Sequence, residues 1–239
     1  MTNKTAFVSG ASGFIGVNLV KQLCLAGWEV TALHRASSDL AYLSRFPARR
    51  VIGDITDPGT LDAVIPTGVD AVFHVAGNVS FDSAGDAAQN SDNIDGTCNM
   101  VTAALNKKAR RFIHTSSGAS WGLQDNIEIN EESLSNVDDT PINYFRTKKL
   151  AEDAALGGLE RGLDVVVVNP ANVVGPFDGD WYDACQIYRQ WAVQQSWCRK
   201  GPLATRTEVP DWYKKAPLFF YTNIAATDEG THSKEENLR

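Results

Sequence analysis

A chain of 239 residues with 43% apolar and 21% charged residues is sized and balanced for one α/β domain with a real core, and it excludes a low-complexity or fibrous protein. The formal net charge of −7 repels phosphate backbones, so nucleic acid is not an expected partner. Any anionic ligand then depends on a local positive site, such as a helix N-terminus or an isolated arginine.

In chain order, "TAFVS" (5–9) is a short β-branched, apolar strand, followed by the glycine turn "SGASGFIG". The apolar residues of 14–28 recur at three and four and predict a helix. "EVTAL" (29–33), "RRVIG" (49–53) and "DAVFHVA" (70–76) read as the next three strands, with a long helical stretch near 86–106. "RFIHTS" (111–116) is a fifth strand, "NYFRTKKLAED" (143–153) opens an amphipathic helix, and "DVVVVN" (164–169) is a sixth strand. The strands are continuous apolar runs, as in a parallel sheet covered on both faces. Strand–helix alternation at this spacing predicts an α/β, Rossmann-type doubly wound parallel sheet.

The character changes after residue 176. Residues 177–215 hold four of the six tryptophans, and "LFFY" (218–221) is the next strand-like segment. The expected division is a dinucleotide-binding domain over 1–176 and a short, atypical C-terminal substrate or lid region over 177–239. The tryptophans there suit an apolar substrate pocket, a packed lid, or a homodimer contact.

The glycine turn carries the first chemistry. Gly10, Gly13 and Gly16 follow strand one and open the first helix, with Ser12, Phe14 and Ile15 between them. Glycine permits the sharp turn and the close approach of a pyrophosphate, and the helix N-terminus offers unpaired N–H groups. An ordinary tight turn is the plainer reading, but its place after the first strand of a doubly wound pattern favours dinucleotide binding. The second strand runs into "HRASS". Arg35 there favours the 2′-phosphate of NADP, with NAD left open, and Ser37 and Ser38 offer further hydrogen bonds.

Tyr144 and Lys148 stand four residues apart and therefore share a helix face. They are either a surface pair or an acid and its electrostatic partner. The four histidines show no metal-ligand spacing. The four cysteines form no CxxC pair, so no metal site and no disulfide framework is expected, only free thiols in a reducing cytoplasm. Without a charged leader or an 18-residue apolar run, no signal peptide or membrane span is expected.

Seven ordered stretches now stand out: "GASGFIG" (10–16), "GDITD" (53–57), "FHVAG" (73–77), "NIDGT" (93–97), "FIHTSS" (112–117), "YFRTK" (144–148) and "VNPANVVGP" (168–176). Through them the chain resembles the extended short-chain dehydrogenase/reductase family, of the NAD-dependent epimerase/dehydratase type. Its dihydroflavonol-reductase-like and hydroxysteroid-dehydrogenase-like members are the nearest in pattern, across roughly residues 4 to 177. The resemblance implies that Asp54 and Ile55 flank the adenine and that Val75, Ala76 and Gly77 lie along the cofactor. It implies that Asn93 supports the site and that Pro170, Asn172 and Val173 lie beside the nicotinamide. Ser117, Tyr144 and Lys148 match the catalytic serine, tyrosine and lysine.

A free tyrosine with a pKa near ~10 is a poor base at neutral pH. A nearby ammonium is expected to lower it. Tyr144 would then exchange a proton with a substrate oxygen that Ser117 holds, while Lys148 binds the ribose hydroxyls. The implied activity is NADP-dependent interconversion of a small-molecule carbonyl and its alcohol. A sugar-nucleotide epimerase using NAD is the alternative, with Arg189, Arg199, Lys200 or Arg206 as candidate diphosphate ligands. A non-catalytic NADP-binding protein is the other, because family members carry a longer C-terminal portion.

Overall fold

The computed structural model describes residues 3–80, 83–124, 129–130, 132–171, 173, 175–177 and 222–225. Its sheet has the order β3-β2-β1-β4-β5-β6-β7. The strands are β1 Thr5–Ser9, β2 Glu29–His34, β3 Arg49–Ile52, β4 Ala71–His74, β5 Phe112–Thr115, β6 Val165–Pro170 and β7 Thr222–Ala225. The first six run parallel, and β7 pairs antiparallel to β6 with Val168 opposite Ile224. Each of the six sequence-read strands is present. The segment 218–221 lies outside the described residues.

The strands are apolar on both faces because both faces are covered. One core packs Phe7, Leu61, Val72, Met100, Phe112 and Val165 beneath the helices α2 (Pro58–Val64), α4 (Gly96–Asn106) and α5 (Asn143–Glu160). The other packs Val8, Val17, Val20, Ala32 and Leu43 beneath α1 (Phe14–Leu25) and the β2–β3 connection. The crossovers change face between β1 and β4, so a crevice opens at the carboxyl ends of those strands.

Local chemistry sets the helix ends. Asp57 caps α2 by accepting from the Gly59 N–H at 2.9 Å, and Pro58 takes the first turn. Helices α1, α4 and α5 all end in the same paired bonds; in α1, Gly27 N–H reaches Cys24 O at 3.0 Å and Trp28 N–H reaches Leu23 O at 3.0 Å. The left-handed residue is Gly27 in α1 and Gly162 in α5, but Lys108 in α4 (φ 54°).

The long helical stretch read over 86–106 is α3 (Asp86–Asn90), a π turn over Ser91–Asp95, and α4. The π turn places Asn93 toward the site, which is the common use of such bulges. At the far end of β6, Asn18 Nδ2 on α1 donates to Pro176 O at 2.6 Å. Phe177 packs with the α1-side core, its ring 5.2 Å from that of Tyr42.

Candidate active site

Gly10 follows β1 in the left-handed region (φ 67°), where a Cβ would lie 2.6 Å from the Ala76 backbone nitrogen. A Cβ on Gly16 would stand 2.0 Å from Gly10 O. Only glycine fits at either place, so the turn lies directly against the loop after β4. Gly13 caps α1, and beside its own Cβ position only Gly10 O comes close, at 3.4 Å. Ser12, Phe14 and Ile15 complete this turn. The cradle that the glycines form against Val75, Ala76 and Gly77 fits a dinucleotide pyrophosphate at a helix N-terminus.

Arg35 lies just past β2 and is exposed. Its charge reaches Asp54, past β3, whose carboxyl is held below the usual range mainly by the Thr56 N–H, then the Thr56 hydroxyl and Arg35. Ile55 is buried against Gly96. Asn93 Oδ1 accepts from the Asn78 N–H at 2.7 Å, and its amide donates to Asn78 O and Thr147 Oγ1, both at 3.0 Å. Asn93 thus joins the loop after β4 to α5.

A polar chain that sequence reasoning missed runs beneath this cradle. Ser9 Oγ accepts from the Val75 and Ala76 N–H groups at 3.2 and 3.3 Å. Its own proton therefore goes to His74 Nδ1, 2.8 Å away. Thr97 Oγ1 donates to Asn93 O at 2.6 Å and so accepts from His74 Nε2 at 2.9 Å. The ring is neutral with its proton on Nε2. Burial, helped by Lys148, pushes the His74 pKa down to about 3. His114, whose ring centroid is 5.3 Å from that of His74, is also held neutral, first by burial and then by Lys148 and His74. Neither of its ring nitrogens has a hydrogen-bond partner among the described residues.

The catalytic candidates converge from β5 and α5. Ser117 follows β5 and accepts from the Ala119 N–H at 3.1 Å. It also hydrogen-bonds the Tyr144 phenol, an interaction that favours the phenolate. Lys148 is 6% exposed and donates to Thr115 O at 2.9 Å. Burial lowers its pKa to about 8 against the opposing pull of Glu152. The sequence suggested that Lys148 would lower the Tyr144 pKa. In the structure the phenol is raised, because burial outweighs the Ser117 bond. Pro170, the last residue of β6, is buried, Val173 beyond it is half-buried, and the Pro170 carbonyl faces Gly118. Asn172, and the basic residues Arg189, Arg199, Lys200 and Arg206, lie outside the described residues.

Sequence reasoning also missed Glu152, Ser116 and Asn169. Glu152 completes a Tyr-x-x-x-Lys-x-x-x-Glu spacing on α5, which was the one available hint. Among the described residues no helix is long and apolar enough to cross a membrane.

The comparisons agree with this architecture. Sterol demethylase protein B of Methylococcus capsulatus is 35% identical over 175 residues, covering 73% of this chain and 53% of the relative. A dihydroflavonol 4-reductase of Arabidopsis thaliana is 32% identical over 193 residues, covering 73% of this chain and 50% of the relative. The chain spans about half the length of the curated relatives it matches. The crystal structure of the dTDP-glucose 4,6-dehydratase DesIV of Streptomyces venezuelae, with NAD and TYD bound, superposes with a TM-score of 0.67. That match has 25% identity and covers 77% of this chain and 62% of DesIV. A domain of unknown function, DUF6259, matches residues 168–237. Residues 6–192 match the NAD dependent epimerase/dehydratase family, and the chain, with its Rossmann sheet and its likeness to dihydroflavonol reductases, belongs to that family.

Proposed function

We propose that the chain binds NADP, in preference to NAD, along the crevice between β1 and β4, and that it interconverts a small-molecule carbonyl and its alcohol. The observation that carries this reading is the Ser117 hydrogen bond to a half-buried Tyr144, one helical turn from a buried Lys148. The names of the relatives, a dihydroflavonol reductase among them, support it. Gly10, Gly13 and Gly16 would hold the pyrophosphate, Arg35 the 2′-phosphate, and Asp54 and Ile55 the adenine. Val75, Ala76, Gly77, Pro170 and Val173 would line the remainder.

The nicotinamide, when bound, supplies or accepts the hydride and in its oxidised form adds positive charge to the site. The chain's own residues manage the proton. Burial keeps Tyr144 protonated, which suits a general acid that gives its proton to a carbonyl oxygen. Ser117 would turn its one proton from the phenol to the same oxygen and stabilise the developing alkoxide. Lys148, held near a pKa of about 8, keeps its positive charge one helical turn from Tyr144 at neutral pH.

The test is a fluorescence titration with NADPH and with NADH, followed by a carbonyl screen. Tighter NADPH binding is expected. Tyr144→Phe should lower turnover by about 10²-fold or more while leaving cofactor binding intact. A second reading, an NAD-dependent sugar-nucleotide epimerase, rests on the family match and on the NAD bound to DesIV. Preference for NADH would select it. If a folded protein binds neither cofactor, both readings fail.

A further inference from the structure

We propose that Glu152 is a positioning residue that clamps the Ser117 loop to α5 and so sets the Ser117–Tyr144 alignment. The inference rests on the catalytic reading above for its kinetic consequences, though not for its geometry.

Tyr144, Lys148 and Glu152 follow one another at four-residue steps, on one face of α5. Glu152 Oε2 accepts from Ser116 Oγ at 2.7 Å and from Asn169 Nδ2 at 2.7 Å. Both distances are short, as charge-assisted bonds are. Ser116 immediately precedes Ser117 and is 5% exposed. Asn169 is the penultimate residue of β6 and is 3% exposed. The same Asn169 amide donates to Ser120 Oγ at 3.1 Å and to Ser117 O at 3.3 Å.

The carboxylate and the Ser117 carbonyl can only accept, so the Asn169 NH₂ must face them. Its Oδ1 is left buried without a partner among the described residues. One carboxylate therefore fixes three segments at once: the loop leaving β5, the end of β6 and the active-site helix. Without it the Asn169 amide loses its strongest reason to keep this orientation, and the Ser116 hydroxyl loses its acceptor. The serine would then sit on a loop free to shift against the tyrosine. Displacements of about 1 Å at a reacting group cost about 10²-fold in rate.

Three variants separate the roles, read by kcat, by NADPH affinity and by hydrogen exchange of the amides at residues 116–120. In Glu152→Ala, kcat should fall at least tenfold with NADPH affinity within about twofold of wild type. Exchange should rise at 116–120 and stay unchanged in α1. Glu152→Gln keeps a carbonyl oxygen for both donors and should recover most of the loss. Its alkaline limb should move to lower pH, because Lys148 loses a neighbouring negative charge. Should Glu152→Ala not fold, Asn169→Ala takes its place with the same expected split. Wild-type kcat together with wild-type exchange in a folded Glu152→Ala would overturn the proposal. So would a loss of kcat with unchanged exchange, which would mean direct contact with the reaction. If the wild-type chain turns over no carbonyl, the catalytic reading fails. The exchange data then decide the clamp alone: raised exchange at 116–120 upholds it and unchanged exchange overturns it.

Discussion

The two halves of the sheet's carboxyl edge are held in different ways. The β1–β4 half is built by volume: Gly10 and Gly16 are glycines because backbone atoms of Ala76 and Gly10 occupy the space a Cβ would take. The β5–β6 half is built by polarity: Ser116, Ser117, Ser120, Glu152 and Asn169 interlock through side-chain bonds, and Lys148 donates to Thr115 O. A volume-built site fails when an atom is added, whereas a polarity-built site fails when a proton or an acceptor is removed.

The largest test of that contrast is Gly10→Ala. A left-handed backbone and a 2.6 Å clash should together destabilise the chain by about 3 kcal/mol and abolish NADPH binding. Urea denaturation measures the first and fluorescence the second. A loss under about 1 kcal/mol would break the distinction between the halves.

Acid should act next, and through protons. His74 titrates at about 3 in the fold against an unperturbed value near 6.5. The fold excludes a proton that the unfolded chain binds, so stability is full above pH 6.5 and falls as pH drops below it. The expected slope is about 1.4 kcal/mol per pH unit for His74 alone, and steeper with His114, whose shift has the same sign. Urea midpoints at pH 7, 6 and 5 measure it, and His74→Gln should flatten it.

Base should act on turnover. Lys148 loses its proton near pH 8, so kcat should level off below that value and decline up to tenfold per unit above it. An alkaline limb near 10 would mean that the ammonium stays charged despite its burial. The smallest effect should come from neither half. Lys108 holds the left-handed position that glycine takes after α1 and α5, so Lys108→Gly should stabilise the chain by about 1 kcal/mol. Thermal unfolding would show this.

The same contrast explains what the sequence could reveal. The strands were legible because burial on two faces leaves continuous apolar runs, as in "VVVV" of β6. Gly10 and Gly16 were legible because the steric demand falls on the residue itself. Tyr144 and Lys148 were legible because a helix turn brings near neighbours together. The polar networks were not, because their partners lie far apart in sequence: 65 residues between Ser9 and His74, and 36 between Ser116 and Glu152. Nor could spacing show that burial raises the Tyr144 pKa, since burial is a tertiary property. The π turn at Asn93 breaks a stretch that reads as one helix, and the seven-residue α2 is too short to stand out by periodicity.

The chain from Ser9 through His74 to Thr97 also has a direction of travel. Each hydrogen points the same way, toward the Asn93 carbonyl, and the two amides that fill the Ser9 oxygen prevent reversal. Such a row polarises itself head to tail. It does not conduct, because passing a proton along it would leave the chain reversed, with the Ser9 hydroxyl turned toward two donors. His74 therefore works as a fixed dipole in the floor of the crevice, a wire with one end permanently tied.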